Sequence, residues 1–89
     1  MDSWWLYFIE CRGGGIYIGI AKNVAARYQK HCDGKGAMYT RLNPPLRLLA
    51  QVEYQNHKLA AQAEREMKKL APWEKWRWAR ALSGSLCKN

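Results

Sequence analysis

The chain has 89 residues, 48% of them hydrophobic, with fifteen Lys and Arg against seven Asp and Glu and a formal net charge of +8. That is enough for one domain and too little for two. The apolar share excludes a disordered chain, and the positive excess favours a polyanionic partner, nucleic acid ahead of anionic membrane.

The run Trp4-Trp5-Leu6-Tyr7-Phe8-Ile9 is the longest apolar stretch and far too short to span a bilayer. It reads as a strand apolar on both faces, and so central in its sheet. Asp2 precedes it and no basic segment does, which is unlike a secretory signal. Cys11, Cys32 and Cys87 are odd in number and form no Cys-x-x-Cys pair. Neither a zinc site nor a disulfide framework is supported, and free thiols in a cytoplasmic protein are expected.

Gly13-Gly14-Gly15 breaks the first strand. Ile16 to Ile20 then alternates, giving a second strand and an antiparallel hairpin. Asn23 is positioned to cap a helix over Val24–Cys32, and residues 33–45, with two glycines and two prolines, read as a surface loop. Leu46 to Tyr54 is a third strand. From His57, Leu59, Ala63, Met67 and Leu70 fall on a helical stripe. Pro72 ends that helix and suits the first turn of another reaching about Leu82. The expected fold is therefore α+β, a three-stranded antiparallel sheet flanked by three helices in the order β-β-α-β-α-α. It forms one domain over residues 1–82, with a flexible tail over 83–89.

A three-residue hairpin loop centred on Arg12 would set Tyr7 opposite Tyr17 on one face of the sheet, with Gly19 beside them leaving room for a phosphate or a backbone. The alternative is that both phenols simply pack. Arg27 and His31, at i and i+4, share a helix face. Together they could clamp a phosphate and neutralise its transition state, or be an ordinary solvated face. Glu64 lies beside the apolar stripe. It could hold a magnesium ion completed by waters and phosphate oxygens, or pair with Lys68 one turn later.

Trp5-Leu6-Tyr7 and, ten residues on, Tyr17-Ile18-Gly19 resemble the paired motifs of the GIY-YIG nuclease family. Arg27 and His31 are similar to the Arg-x-x-x-His of that family's first helix, and Glu64 to its metal-binding glutamate. The loop from Gly34 to Arg41 resembles that of small stand-alone bacterial members. The first motif departs in reading Trp-Leu-Tyr. The asparagine some members carry near the domain end has no counterpart except Asn89.

The resemblance implies a divalent-metal-dependent endonuclease acting on DNA in repair or recombination, with Mg²⁺ or Mn²⁺ as cofactor. Tyr7, Tyr17, Arg27, His31 and Glu64 would form the catalytic set. Tyr17 would be the general base or position the attacking water, favoured by nearby Lys22 and Arg27. Arg27 would stabilise the phosphorane, Tyr7 would orient water or a phosphate oxygen, and Glu64 would be the metal ligand.

Gly19, Lys22, Lys35, Arg41, Lys68 and Lys69 are the candidate nucleic-acid contacts, on a basic surface extended by Lys58, Arg65, Lys75, Arg77 and Arg80. The interleaved Trp73 and Trp76 are expected to seal the core, although an exposed tryptophan could stack on an unpaired base. A small globule favours branched, flapped or single-stranded DNA over long sequences. RNA stays open because backbone contacts discriminate little. A partner protein for targeting, or a fold that binds without cutting, are the remaining alternatives.

Overall fold

The computed structural model describes the backbone of residues 3–87 and the side chains of residues 3–82. Its elements are β1 (Trp4–Cys11), β2 (Ile16–Ala21), α1 (Val24–Cys32), α2 (Met38–Leu42), β3 (Pro45–Tyr54), α3 (His57–Lys68) and α4 (Pro72–Cys87). The sheet is antiparallel in the order β2-β1-β3. The strand with two apolar faces is thus the central one, with Leu6, Tyr7, Phe8 and Ile9 all buried.

Alternation along β1 sends its side chains into two separate packing layers. Leu6 and Phe8 join Ile18, Ala50 and Ala79, with Ala63, Met67 and Leu82 of α3 and α4 packed around them. On the other face Tyr7, Ile9 and Cys11 meet Ala21 and Val24, flanked by Tyr17 and Tyr28. One face of the sheet therefore carries α3 and α4 and the opposite face carries α1. Among the described residues no helix is long and apolar enough to cross a membrane.

Several sequence expectations are corrected. The hairpin register pairs Tyr7 with Gly19 and Ile9 with Tyr17, because the turn is centred on Gly13, with Cys11 N–H bonded to Gly15 O at 2.9 Å. The shift is by two residues, so the two tyrosines stay on one face as diagonal neighbours. The loop expected over 33–45 contains the short helix α2, whose five residues are too few to show a helical period. On α3 the buried position is Ala60, whereas Leu59 is 40% exposed. Helix α4 continues past Leu82 to Cys87, through Ser83, Gly84 and Ser85, residues of modest or poor helix propensity. The Cys87 side chain and Asn89 lie outside the described residues. Trp73 is not a core residue: it is 64% exposed. Trp76 is only half-buried and spends its indole N–H on Gly14 O at 2.8 Å.

Candidate active site

The site is built on the α1 face of the sheet. Asn23 Oδ1 accepts from Ala26 N–H at 3.0 Å and starts α1. Val24 and Tyr28 then anchor the helix on Tyr7, Ile9 and Cys11, and the same helix brings Arg27 and His31 to the tyrosines one turn apart. His31 is 1% exposed and both ring nitrogens are occupied. Nε2 lies 2.9 Å from the Tyr7 hydroxyl, and Nδ1 lies 2.8 Å from Thr40 Oγ1.

The protons on this chain follow from counting donors. Thr40 has one hydroxyl proton and gives it to Ala37 O at 2.9 Å. It must therefore accept from His31 Nδ1–H. Burial, and secondarily the charge of Arg27, push the His31 pKa down, which keeps the ring neutral. Nε2 is then an acceptor and Tyr7 O–H its donor. The proton direction runs Tyr7 to His31 to Thr40 to the Ala37 carbonyl. Burial pushes the Tyr7 phenol up to about 12, with the nearby Arg27 donor offsetting part of the rise and the charges of Tyr17 and Glu64 adding to it. Tyr7 is thus a neutral phenol whose proton is committed to His31, with the Arg27 charge close enough to act on it.

Two glycines make room for this chain. A Cβ on Gly19 would collide with the Tyr7 hydroxyl and ring. The space beside the two phenols is therefore filled by Tyr7 and is not held open for a phosphate or a backbone. A Cβ on Gly36 would collide with the His31 ring, so the turn after α1 closes directly over the imidazole.

Tyr17 sits outside this buried chain. Its ring lies 6.3 Å from that of Tyr7, 5.0 Å from that of His31 and 6.1 Å from that of Tyr39, on which it stacks. Helix α3 packs along β2 and brings charge to the same place. Lys68 Nζ lies 5.6 Å from the centre of the Tyr17 ring, and Glu64 Oε2 pairs with Lys68 at 3.2 Å. The i+4 ion pair is present, and the Glu64 charge still reaches Tyr7.

The structure thus brings together Tyr7, Tyr17, Arg27, His31 and Glu64. It also revises some of their relations. His31 is too enclosed to clamp a phosphate with Arg27, and its Nε2 is spent on the Tyr7 hydroxyl. Lys22 does not flank Tyr17: it lies five residues along the strand, roughly 17 Å away, over the Trp4 ring at 5.7 Å. Lys68 is the ammonium beside Tyr17. Lys35 and Arg41 are exposed on the α1–α2 side, and Lys69 is 4.0 Å from Glu66. Sequence reasoning missed Thr40, Tyr39 and Gly36, which all lie in the stretch read as a loop.

Residues 3–73 match the family model described as the GIY-YIG catalytic domain. A UPF0213 protein of Cupriavidus necator is 44% identical over 74 residues, covering 83% of this chain and 80% of the relative. One of Staphylococcus aureus is 41% identical over 68 residues, covering 76% and 83%. The solution NMR structure of a UPF0213 protein from Bacillus halodurans resembles the fold with a TM-score of 0.59 and 34% identity, covering 92% of this chain and 87% of that one.

Proposed function

From a chain that belongs to the GIY-YIG catalytic-domain family, a family of nucleases, we infer a metal-assisted DNA endonuclease acting on branched, flapped or single-stranded DNA. The observation that carries this reading is the convergence of a part-exposed tyrosine, an arginine and a carboxylate on one buried hydrogen-bonded frame. Tyr17 and Tyr7 divide the work that two phenols could share. Tyr7 has its proton committed to His31, so it fixes geometry. Tyr17, without that partner, is the phenol free to take a proton from the attacking water or to orient it. Lys68 over its ring offsets negative charge developing on that oxygen. Arg27, whose charge acts on both Tyr7 and His31, presents its donors to the phosphorane, where preorganised charge is most effective.

Among the described residues no three His, Cys, Asp or Glu side chains converge as a ready-made metal cage. The donor set still fits a magnesium-type ion, which takes one or two carboxylates and completes its shell with water and substrate phosphate oxygens. Glu64 is that carboxylate, with its side chain 22% exposed, and its pair with the half-exposed Lys68 is weak enough for a divalent cation to displace. Glu64 would hold Mg²⁺ or Mn²⁺, which would supply Lewis-acid stabilisation of charge on the phosphate.

The fold-without-cutting alternative finds less support, since such a module has no need of Tyr17, Arg27 and Glu64 together. The reading assigns the activity to one domain over residues 1–82, in the cytoplasm and in repair or recombination, with targeting by a partner protein as an added possibility. The test is cleavage of labelled duplex, flap, three-way-junction and single-stranded DNA, and of RNA, with and without Mg²⁺ or Mn²⁺. Divalent-dependent cutting of the DNA structures supports the reading. Binding without cutting across the whole panel replaces it with the non-catalytic module, and preferential cutting of RNA corrects the substrate.

A further inference from the structure

On the opposite face of the sheet, α4 carries an aromatic and basic surface that the catalytic set does not use. Ala79 points into the core, while Trp73 and Trp78 are 64% and 47% exposed. Trp73, Trp76, Arg77 and Arg80, at i, i+3, i+4 and i+7, line one open cleft. It adjoins a second, lined by Arg47, Leu49, Trp76, Ala79 and Arg80. Trp76 and Arg80 are shared, so the two form one groove running from α4 to β3. No carboxylate lines either part. Arg47 is matched by Glu10 at 2.6 Å. Arg77 and Arg80 have no carboxylate partner among the described residues.

The groove leads toward the active site. Trp76 donates to Gly14 O in the hairpin turn. The next residue, Gly15, has the Tyr39 hydroxyl seated where a Cβ would be, and Tyr39 stacks on Tyr17 at 24° between planes. Four aromatic rings therefore pass around one glycine-rich turn, from Trp73 and Trp76 on the α4 face to Tyr39 and Tyr17 on the other.

The geometry points to this groove as the seat of an unpaired strand of the DNA substrate. Its bases stack on Trp73 and Trp76, and its phosphates meet Arg77 and Arg80, as the strand runs around the hairpin toward Tyr17. Aromatic faces with arginines between them suit single strands, whose bases are free to stack; in a duplex those faces are already covered. Self-association through the same surface would set Arg77 and Arg80 against their own kind. The inference rests on the nuclease reading for its substrate, but its test measures binding without cutting.

The full chain would be titrated with a labelled oligothymidylate of about 15 nucleotides in EDTA, following anisotropy. Trp73→Ala is expected to weaken binding about 5- to 150-fold, the range measured for removing one stacking partner. Trp73→Phe should recover most of the loss, because it restores a stacking face. The double variant Arg77→Ala/Arg80→Ala should reduce the slope of log affinity against log salt by about 1.4, at roughly 0.7 per phosphate contact on a single strand.

Failure of the wild type to bind, or equal affinity and salt slope in all variants, overturns the proposal. So does a sedimenting dimer that Trp73→Ala dissociates while oligonucleotide affinity stays unchanged. If groove variants lose binding and the wild type cuts nothing, the nuclease reading fails and the groove stands. If the wild type cuts and the groove variants bind normally, the reverse holds.

Discussion

Replacing Thr40 with valine removes one hydroxyl from a fully enclosed position and keeps nearly the same volume. The Thr40 side chain accepts from His31 Nδ1–H at 2.8 Å and donates to Ala37 O at 2.9 Å. Valine leaves the imidazole N–H without a partner at a residue 1% exposed. An unsatisfied buried donor costs about 1–3 kcal/mol. With a urea slope of about 1 kcal/mol per molar for so small a domain, the midpoint should fall by roughly 1–3 M.

The ring could avoid that penalty by moving its proton to Nε2. That proton would then point at the Tyr7 oxygen, and the Tyr7 proton would have to turn toward Arg27, which only donates. Keeping Nδ1–H costs stability and leaves Tyr7 donating to Nε2, whereas the tautomer change alone turns the Tyr7 proton toward Arg27. The assays are urea unfolding and the ¹⁵N shifts of the His31 ring, which separate the two tautomers directly. Wild type should show Nδ1–H, and Thr40→Ser, which keeps the hydroxyl, should retain that tautomer. An Nε2–H tautomer in the wild type, or a Thr40→Val protein unchanged in both stability and ring shifts, would refute the proton direction derived for this chain.

Gly19→Ala places a methyl against the Tyr7 hydroxyl and ring, and Tyr7 cannot retreat without breaking its bond to His31. Overpacking of this kind costs about 1–3 kcal/mol, so a loss of unfolding free energy below about 1 kcal/mol would show that the site has room to spare. Stability should also depend on pH at both ends. The lowered His31 pKa means that the unfolded chain takes up a proton the folded one refuses. That stability is complete above the unfolded value of 6.5 and is lost progressively as pH falls below it through the lowered folded value. The raised Tyr7 pKa acts in the other direction, with stability complete below 10 and lost as pH climbs toward about 12. Unfolding midpoints across pH should show the acid-side loss diminished in His31→Gln; equal acid sensitivity would contradict the buried neutral imidazole. Glu64→Gln breaks a part-exposed ion pair worth only a few tenths of a kcal/mol. It should therefore leave unfolding almost unchanged while removing divalent-dependent cutting. A large loss of stability would instead make Glu64 a structural residue.

The elements easiest to read from sequence were those whose burial is strongly patterned. A strand apolar on both faces became the central strand, and Asn23 before Val24 marked the start of α1. The family was also legible, because the ordered spacing from Tyr7 to Glu64 resembles it; the roles of those residues stay a proposal. The relations among those residues were less visible. Glycine-rich turns do not reveal which residue sits at the apex, so the expected centre on Arg12 moved to Gly13 and the pairing shifted by two. Parity alone kept Tyr7 and Tyr17 on the same face. Thr40 could not be recognised because a five-residue helix has no period, and its role depends on a buried histidine that sequence treats as polar surface. Trp73 illustrates the opposite error. A large apolar residue is usually assigned to the core, but at its helix position it faces outward beside Arg77. The distance of Lys22 from Tyr17 follows from strand rise alone, whereas the arrival of Lys68 beside Tyr17 depends on how α3 docks along β2, which no local pattern encodes.

The central claim is that this site cuts DNA, and single-turnover cleavage of a flap substrate by Arg27→Ala tests it most directly. The protein would be shown to be folded and to bind the flap as the wild type does within a few-fold. Removal of one preorganised charge donor at the phosphorane should slow cutting by about 10²–10³, with binding nearly unchanged. Divalent-dependent cleavage at the wild-type rate in Arg27→Ala would contradict the account, since any cutting would then belong to another site or another protein.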